Sequence, residues 1–172
     1  SGAIALGSKS ISKSVLRKLE DKQAAASIGQ IELAYQWRTK LKKYKINVSQ
    51  ILLTLDDSEE RRRYLNARNT ISSLQNKNII PIINENDTVA TEEIRYGDND
   101  KLAARVAQMI EADLLVLLSD VDGLYDDNPK KIKGTKKISE VYIIDKKIEN
   151  LANNQVSELG SGGMATKIIA AK

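Results

Sequence analysis

Stretches with helical spacing of apolar residues alternate along the chain with short apolar runs that are typical of strands. Such alternation predicts a parallel or mostly parallel sheet with helices on both of its faces. No repeat and no linker rich in Pro, Gly or Ser interrupts the pattern, so we interpret residues 1–172 as one α/β domain. The predicted helices cover residues 22–44, 58–77, 100–111 and 163 onward, and the predicted strands cover residues 48–53, 79–83, 114–118 and 141–144.

Several of these elements carry more detailed expectations. The run Leu-Leu-Val-Leu-Leu at 114–118 has no polar interruption, which predicts a strand buried on both faces of the sheet. Ser58 and Asp100 stand where N-caps are favoured, and each is predicted to begin a helix. The first helix is predicted from apolar residues at helical spacings, which are Ile28, Leu33, Trp37 and Leu41. In the second helix, the stripe predicted to be buried is Leu65, Ile71 and Leu74.

Composition removes several classes of chemistry. The sequence contains no His and no Cys, which excludes a Ser-His-Asp triad, a thiol nucleophile and His- or Cys-ligated zinc within these residues. Phosphoryl transfer fits the residues that remain, because it depends on positioning and on charge stabilisation. The net charge of +4 arises from Lys and Arg spread among acids, so we expect no nucleic-acid partner. No long apolar run or signal-like start is present, and a cytoplasmic protein without a membrane partner is therefore expected.

Polar loops that follow predicted strands are the candidate sites, because ligands of such sheets gather beyond the carboxyl ends of the strands. Asn-Glu-Asn-Asp at 84–87 suits the ammonium group of a substrate or, equally, a polar turn. In Gly-Asp-Asn-Asp at 97–100, Asn99 and the start of the next helix suit an anion, and Asp100 suits holding a catalytic lysine by its charge. The same residues also suit plain capping of that helix.

Three further strings have candidate roles. Gly-Ser-Gly-Gly-Met-Ala-Thr-Lys at 160–167 combines glycines, a helix start and Lys167, which favours phosphate binding over a flexible connection although the order is not that of a Walker loop. Ser-Asp-Val-Asp-Gly-Leu-Tyr at 119–125 has the composition of a turn, and such a turn suits contact with a nucleotide or no ligand at all. Ser-Gly-Ala at 1–3 suits an anion or an ordinary N-cap.

Taken in order, these loops resemble the glutamate 5-kinase branch of the amino-acid kinase family. Any one string has low specificity, whereas all of them in the same order are highly specific, and the resemblance covers nearly the whole chain. The implied fold is a three-layer α/β sandwich around a mostly parallel central sheet. The matching strings lie at 1–5 (Ser-Gly-Ala-Ile-Ala), 84–87, 97–100, 119–125 and 160–167.

The resemblance also implies an activity. It implies transfer of the γ-phosphoryl group of ATP to the side-chain carboxylate of L-glutamate, which gives γ-glutamyl phosphate for proline biosynthesis. Mg²⁺ would be held mainly through the nucleotide's phosphates, so no protein metal ligand is implied. Relatives usually self-associate, which implies a homo-oligomer, and proline is implied as an inhibitor.

Individual roles follow from the motifs of the family. Ser1, Asp87 and Asn99 are implied to contact glutamate. Lys167 is implied to stabilise negative charge in the transition state, and Asp100 to organise the catalytic lysines. The residues implied to bind the nucleotide are Ser119, Asp120, Ser161, Gly162, Gly163, Met164, Ala165, Thr166 and Lys167.

The sequence departs from the family pattern at both ends. Neither the first strand with its Lys-containing phosphate loop nor the final strands have a match here, so we expect a domain truncated at both ends with little or no kinase activity by itself. A non-catalytic module that binds glutamate, proline or nucleotide is therefore kept as an alternative. A kinase of the same family acting on aspartate or N-acetylglutamate is a second alternative.

Overall fold

The structure is a computed structural model, and it describes residues 2–11, 18–89, 99–119, 122–128, 132–154 and 163–172. The chain forms two compact units, one built on the elements before residue 90 and the other on the elements from α5 onward, apart from residues 109–111, which belong to the first. The elements are α1 (Ala3–Gly7), α2 (Leu19–Lys42), β1 (Asn47–Leu53), α3 (Leu55–Glu59), α4 (Arg61–Gln75), β2 (Ile79–Glu85), α5 (Asn99–Met109), α6 (Lys146–Asn154) and α7 (Met164–Ala171).

A parallel pair of strands forms the sheet of the first unit. Strand β1 pairs with β2 in a register that runs from Asn47 opposite Ile79 to Leu53 opposite Glu85. Parallel neighbours need a crossover connection, and α3 and α4 supply it. The predicted α/β class is confirmed, and both predicted strands of this unit are present.

The two helices of the crossover are capped by residues other than the predicted Ser58. Thr54 caps α3 in a capping box, because its hydroxyl accepts from the backbone N–H of Asp57 while the Asp57 carboxylate accepts from the Thr54 backbone N–H at 2.7 Å. Glu60 caps α4 through its own side chain. Ser58 therefore caps neither helix, and its hydroxyl instead donates to the Leu55 carbonyl. The prediction of a Ser58 cap is wrong because a stronger box forms one turn earlier.

Helix α2 packs against α1 through small residues rather than through its large apolar residues. Ala25 and Gly29 lie against α1, and a Cβ added at Gly29 would overlap the carbonyl oxygen of Ala3. The two helices thus touch backbone to backbone, which only the smallest side chains permit. Of the apolar residues at helical spacings in α2, Ile28 and Trp37 are 42% and 45% exposed, and Leu33 and Leu41 are half-buried.

In α4 the predicted stripe is partly correct. Ile71 is fully buried and Leu74 is half-buried, but Leu65 is 41% exposed. The remaining buried position of this helix is Ala67, four residues before Ile71 and on the same face. The core face is therefore rotated towards a small residue that the apolar pattern under-weighted.

Two predicted strands of the second unit are wrong. Residues 114–118 form no strand, and Leu114 and Leu118 are 77% and 86% exposed. Residues 141–144 likewise form no strand, and Tyr142 is 89% exposed. An apolar run favours a buried strand, but the run becomes buried only where a neighbouring strand or helix covers it.

A small core joins α6 and α7 in the second unit. Leu124, Ala152 and Met164 are buried together, with Ile148 and Ile168 packed against them. Met164 is the first residue of α7, so its burial fixes where that helix begins. Among the described residues, no helix has the length and apolarity that crossing a membrane requires.

Candidate functional site

The carboxyl end of β2 carries the first group of predicted site residues. Asn84 is the next-to-last residue of β2 and is buried. Its side-chain amide donates to the side-chain oxygen of Gln30 on α2 at 2.8 Å. This contact anchors the 84–87 loop to the helix that covers the sheet. The pairing with Gln30 was not predicted, because it joins residues far apart in sequence.

Asp87 lies just beyond that strand and is partly buried. Its Oδ2 atom is enclosed and accepts no hydrogen bond from the part of the chain that the structure describes. Burial therefore raises the pKa of the Asp87 carboxyl above its ordinary value. A buried acceptor without a donor costs free energy, and a ligand with N–H groups would remove that cost.

The second group joins the starts of α5 and α7, within the second unit. The Lys167 ammonium donates to both carboxylate oxygens of Asp100, at 3.0 Å and 3.2 Å. Thr166 also donates its hydroxyl to Oδ2 of Asp100 at 2.9 Å. Residues 160–167 are called the glycine-rich string below. Two of its residues, Thr166 and Lys167, thus contact one carboxylate that lies 66 and 67 positions earlier in the sequence.

The helix dipoles have opposite effects on the two charges of this ion pair. Asp100 lies in the first turn of α5, where the helix dipole favours a negative charge. Lys167 lies in the first turn of α7, where the same dipole disfavours a positive charge. The Asp100 carboxylate offsets that cost, and the pair is mostly buried, with 19% of the Lys167 side chain and 21% of the Asp100 side chain exposed. An anion bound at the start of α7 would stabilise Lys167 in the same way.

Asp100 is within its helix rather than at its N-cap, so the predicted capping role is wrong. The helix begins at Asn99, one residue earlier. The Asp100 side chain instead accepts hydrogen bonds from Thr166 and Lys167 of α7. This agrees with the other predicted role of Asp100, which is to hold a lysine in place. Asn99 stands beside it at the start of α5 and is half-buried.

The remaining predicted nucleotide residues fall in different positions. Gly163 is the N-cap of α7, and Met164 points into the core, which leaves its backbone as the part able to face a ligand. Ala165 is half-buried in the first turn of α7, and Ser119 is exposed directly after the apolar run at 114–118. The predicted site residues Ser1, Asp120, Ser161 and Gly162 lie outside the described residues.

Acidic side chains do not cluster as metal ligands in the described ranges. There, no three of them come close enough to hold an ion together. Asp100 is engaged by an ammonium and a hydroxyl group. Mg²⁺ in nucleotide sites is commonly held through phosphates and waters with one or two carboxylates, so these residues fit a metal that arrives with the nucleotide.

Comparison with known proteins now gives the class. The chain matches the amino acid kinase family over residues 3–172, and it belongs to that family. Its α/β architecture is that of the amino-acid kinase fold, as the resemblance implied. The ion pair between Asp100 and Lys167 therefore lies in a kinase-family domain.

Relatives within the family narrow the resemblance. The chain is 55% identical to the glutamate 5-kinase of Paramagnetospirillum magneticum, over 100% of this chain and 46% of that protein. It is 59% identical to the glutamate 5-kinase of Pelagibacter ubique, over 100% of this chain and 47% of that protein. The resemblance to the glutamate 5-kinase branch is thus confirmed, and the chain spans just under half the length of these curated relatives.

Proposed function

We propose that the chain carries part of the catalytic machinery by which a glutamate 5-kinase transfers the γ-phosphoryl group of ATP to the side-chain carboxylate of L-glutamate. The observation that carries the proposal is the ion pair of Lys167 with Asp100 at the start of α7. It gives a lysine a defined position beside a helix N-terminus, where phosphate oxygens bind well.

The reaction requires little from the protein beyond position and charge. The nucleophile is a carboxylate with a reference pKa of about 4.3, so it is ionised at neutral pH and needs no general base. A sequence without histidine is therefore fully compatible with the reaction. Negative charge on the moving phosphoryl group needs donors and cations aimed at it, and Lys167 is proposed to supply one of them.

The substrate's amino group gives Asp87 a role. Its enclosed Oδ2 lacks a hydrogen-bond donor within the described ranges. An ammonium group supplies N–H donors and a positive charge, and both favour the ionised carboxylate. We propose that Asp87 binds the glutamate ammonium, and that Asn99 and Ser1 contact its carboxylates.

The nucleotide is proposed to lie on the glycine-rich string. Backbone N–H groups of residues 161–167 would hold the phosphates, and Ser119 and Asp120 would contact the rest of the nucleotide. Mg²⁺, bound through the phosphates, would neutralise part of their charge. Asp100 is proposed to keep the Lys167 ammonium in place while the phosphoryl group moves past it.

A coupled assay of ADP release tests the proposal on the purified native protein. We expect release that depends on glutamate, with a lower kcat/KM for aspartate and for N-acetylglutamate. Those two substrates are the control for the choice within the family, because their carboxylates have similar nucleophilicity. Preference for either of them would contradict the glutamate assignment.

A binding module without turnover is the alternative, since the chain spans just under half the length of its relatives. Calorimetry with ADP and with glutamate separates the two functions. Binding of both ligands with no ADP release in the coupled assay would favour the module. Cytoplasmic location, self-association and inhibition by proline remain parts of the proposal, and adding proline to the same assay tests the last.

A further inference from the structure

The glycine-rich string was predicted to use Thr166 for the nucleotide, but its hydroxyl has a different neighbour. Oγ1 of Thr166 lies 2.9 Å from Oδ2 of Asp100 and 3.0 Å from the carbonyl oxygen of Gly163. Both are acceptors, and a hydroxyl has a single proton to donate. The ionised carboxylate is the stronger acceptor, so the hydroxyl donates mainly to Asp100.

The carboxylate of Asp100 needs this contact to hold one orientation. Rotation about the bond that turns an aspartate carboxylate has a broad profile, so that torsion alone does not fix the plane of the two oxygens. Lys167 donates to both oxygens, at 3.0 Å and 3.2 Å, and its long flexible side chain can follow the carboxylate as it rotates. Thr166 has a short, β-branched side chain with only a few rotamers in a helix, so its hydroxyl restricts the position of Oδ2 more than the long side chain of Lys167 does.

We propose that Thr166 is a positioning residue. Its hydroxyl holds the Asp100 carboxylate in the orientation that places the Lys167 ammonium for phosphoryl transfer, and the hydroxyl itself does not contact the nucleotide. The inference rests on the proposed function for its role in turnover, but the coupling between Thr166 and Asp100 can be measured without turnover.

The kinetic test compares Thr166→Val with Thr166→Ser in the purified native protein. Valine keeps the branched shape and removes the donor, so we expect kcat to fall on the order of tenfold, as for a hydrogen bond to a charged group. KM for ATP and the calorimetric Kd for ADP should stay within about twofold, because binding is not what the hydroxyl provides. Thr166→Ser keeps the donor and should recover most of kcat.

A matched control removes a threonine hydroxyl that bonds only within its own helix. Thr70 in α4 donates to the carbonyl of Asn66 at 2.8 Å and is exposed. Thr70→Val should leave kcat and the ADP affinity unchanged. The inference is overturned if Thr166→Val keeps the wild-type kcat, or if ADP affinity falls by the same factor as kcat, since the hydroxyl would then bind nucleotide directly.

A double-mutant cycle tests the contact itself. Thr166→Val and Asp100→Asn are made singly and together, with Thr166→Ala as a smaller replacement in case valine prevents folding. The midpoint of urea unfolding is measured for each protein, which needs no enzymatic activity. If the hydroxyl acts on Asp100, the two shifts should be non-additive, whereas additive shifts would overturn the inference.

The two readouts also separate the inference from the proposed function. If the unsubstituted protein releases no ADP with glutamate, the proposed function fails, and the unfolding cycle still decides whether Thr166 positions Asp100. If the unsubstituted protein is active and the cycle is additive, the inference alone fails.

Discussion

Two of the predicted site residues, Asp87 in the first compact unit and Asp100 in the second, stand in opposite electrostatic situations. Asp100 at the start of α5 receives hydrogen bonds from a hydroxyl group and an ammonium group. Asp87 beyond β2 has an enclosed oxygen that accepts no hydrogen bond from the described part of the chain, and burial raises its pKa. The first carboxylate already has its counter-charge inside the protein. The second has no donor among the described residues, which is the difference expected if Asp100 positions a lysine and Asp87 contacts the substrate, as we propose.

A third carboxylate, that of Asp57, has partners within the protein and serves as the reference for a purely structural role. Asp57 accepts from Thr54 in the capping box of α3 and from Arg63 at 3.1 Å. Burial raises the pKa of Asp57, but the hydrogen bonds from Thr54 and the Arg63 guanidinium outweigh burial and hold the pKa below its ordinary value. Here the partners are local and the role is to begin a helix. Substitution of each of the three carboxylates or of their partners should therefore have different effects on turnover and on stability.

The largest effect is expected from Lys167→Met, which keeps the length of the side chain and removes its charge. We expect kcat of the native protein to fall on the order of 10³-fold, the size seen when a transition-state donor is lost. The control is Lys172→Met at the C-cap of the same helix, which removes a lysine that pairs with Glu149 at 2.7 Å. That exposed pair should contribute little, and kcat should be retained. Equal losses in the two variants would remove the special role of Lys167.

Asp100→Asn is expected to have the next largest effect, on stability as well as on turnover. The substitution leaves a mostly buried ammonium without its counter-charge, which should lower the free energy of unfolding by about 2 kcal/mol. Urea denaturation followed by circular dichroism measures the change. Unaltered stability would mean that Lys167 readily turns to solvent, and the positioning role of Asp100 would then be untenable.

Thr54→Ala should cost about 1 kcal/mol of stability through the loss of the capping box, and it should leave kcat unchanged. The pH dependence has a defined sign, because the folded pKa of Asp57 is lowered from 3.8. Its contribution is present above the unfolded pKa and is lost as pH falls through the folded value. Thermal melts at a series of pH values should show the wild type approaching the variant in acid.

The smallest change in stability is expected from Asp87→Asn, and its sign is opposite. A carboxyl whose folded pKa is raised above 3.8 favours the native state below its unfolded pKa, and this contribution is lost as pH rises through the folded value. At neutral pH the variant should therefore melt at a higher temperature than the wild type, and the difference should disappear in acid. KM for glutamate should rise in the same variant. A lower melting temperature at neutral pH would show that Asp87 already has a favourable partner.

The pattern of apolar residues predicted α2, α4, α5 and α7 and both paired strands. It failed at residues 114–118, where an apolar run forms no strand and is largely exposed. It also failed on the buried face of α2, since a pattern of large apolar residues does not reveal a contact made by Ala25 and Gly29. Packing partners decide both cases, and a linear pattern does not contain them.

The candidate site was predictable in part. The motifs indicated an acid at one helix start and a lysine at another, and the structure brings Asp100 and Lys167 together. The hydroxyl contact of Thr166 with Asp100 was missed, because no local signal marks a side-chain contact across 66 positions. The absence of histidine directed attention to charge stabilisation as the chemistry, and that chemistry and the roles of the individual residues stay predictions.

The close contact between α1 and α2 has a consequence for anyone who surveys variants of this chain. A Cβ at Gly7 would overlap the carbonyl oxygen of Ala25, just as one at Gly29 would overlap that of Ala3. In a saturation screen scored by growth, both glycines should tolerate substitution as poorly as Lys167 does. Cellular abundance would distinguish them, because the glycine variants should be degraded while the lysine variants accumulate as inert protein.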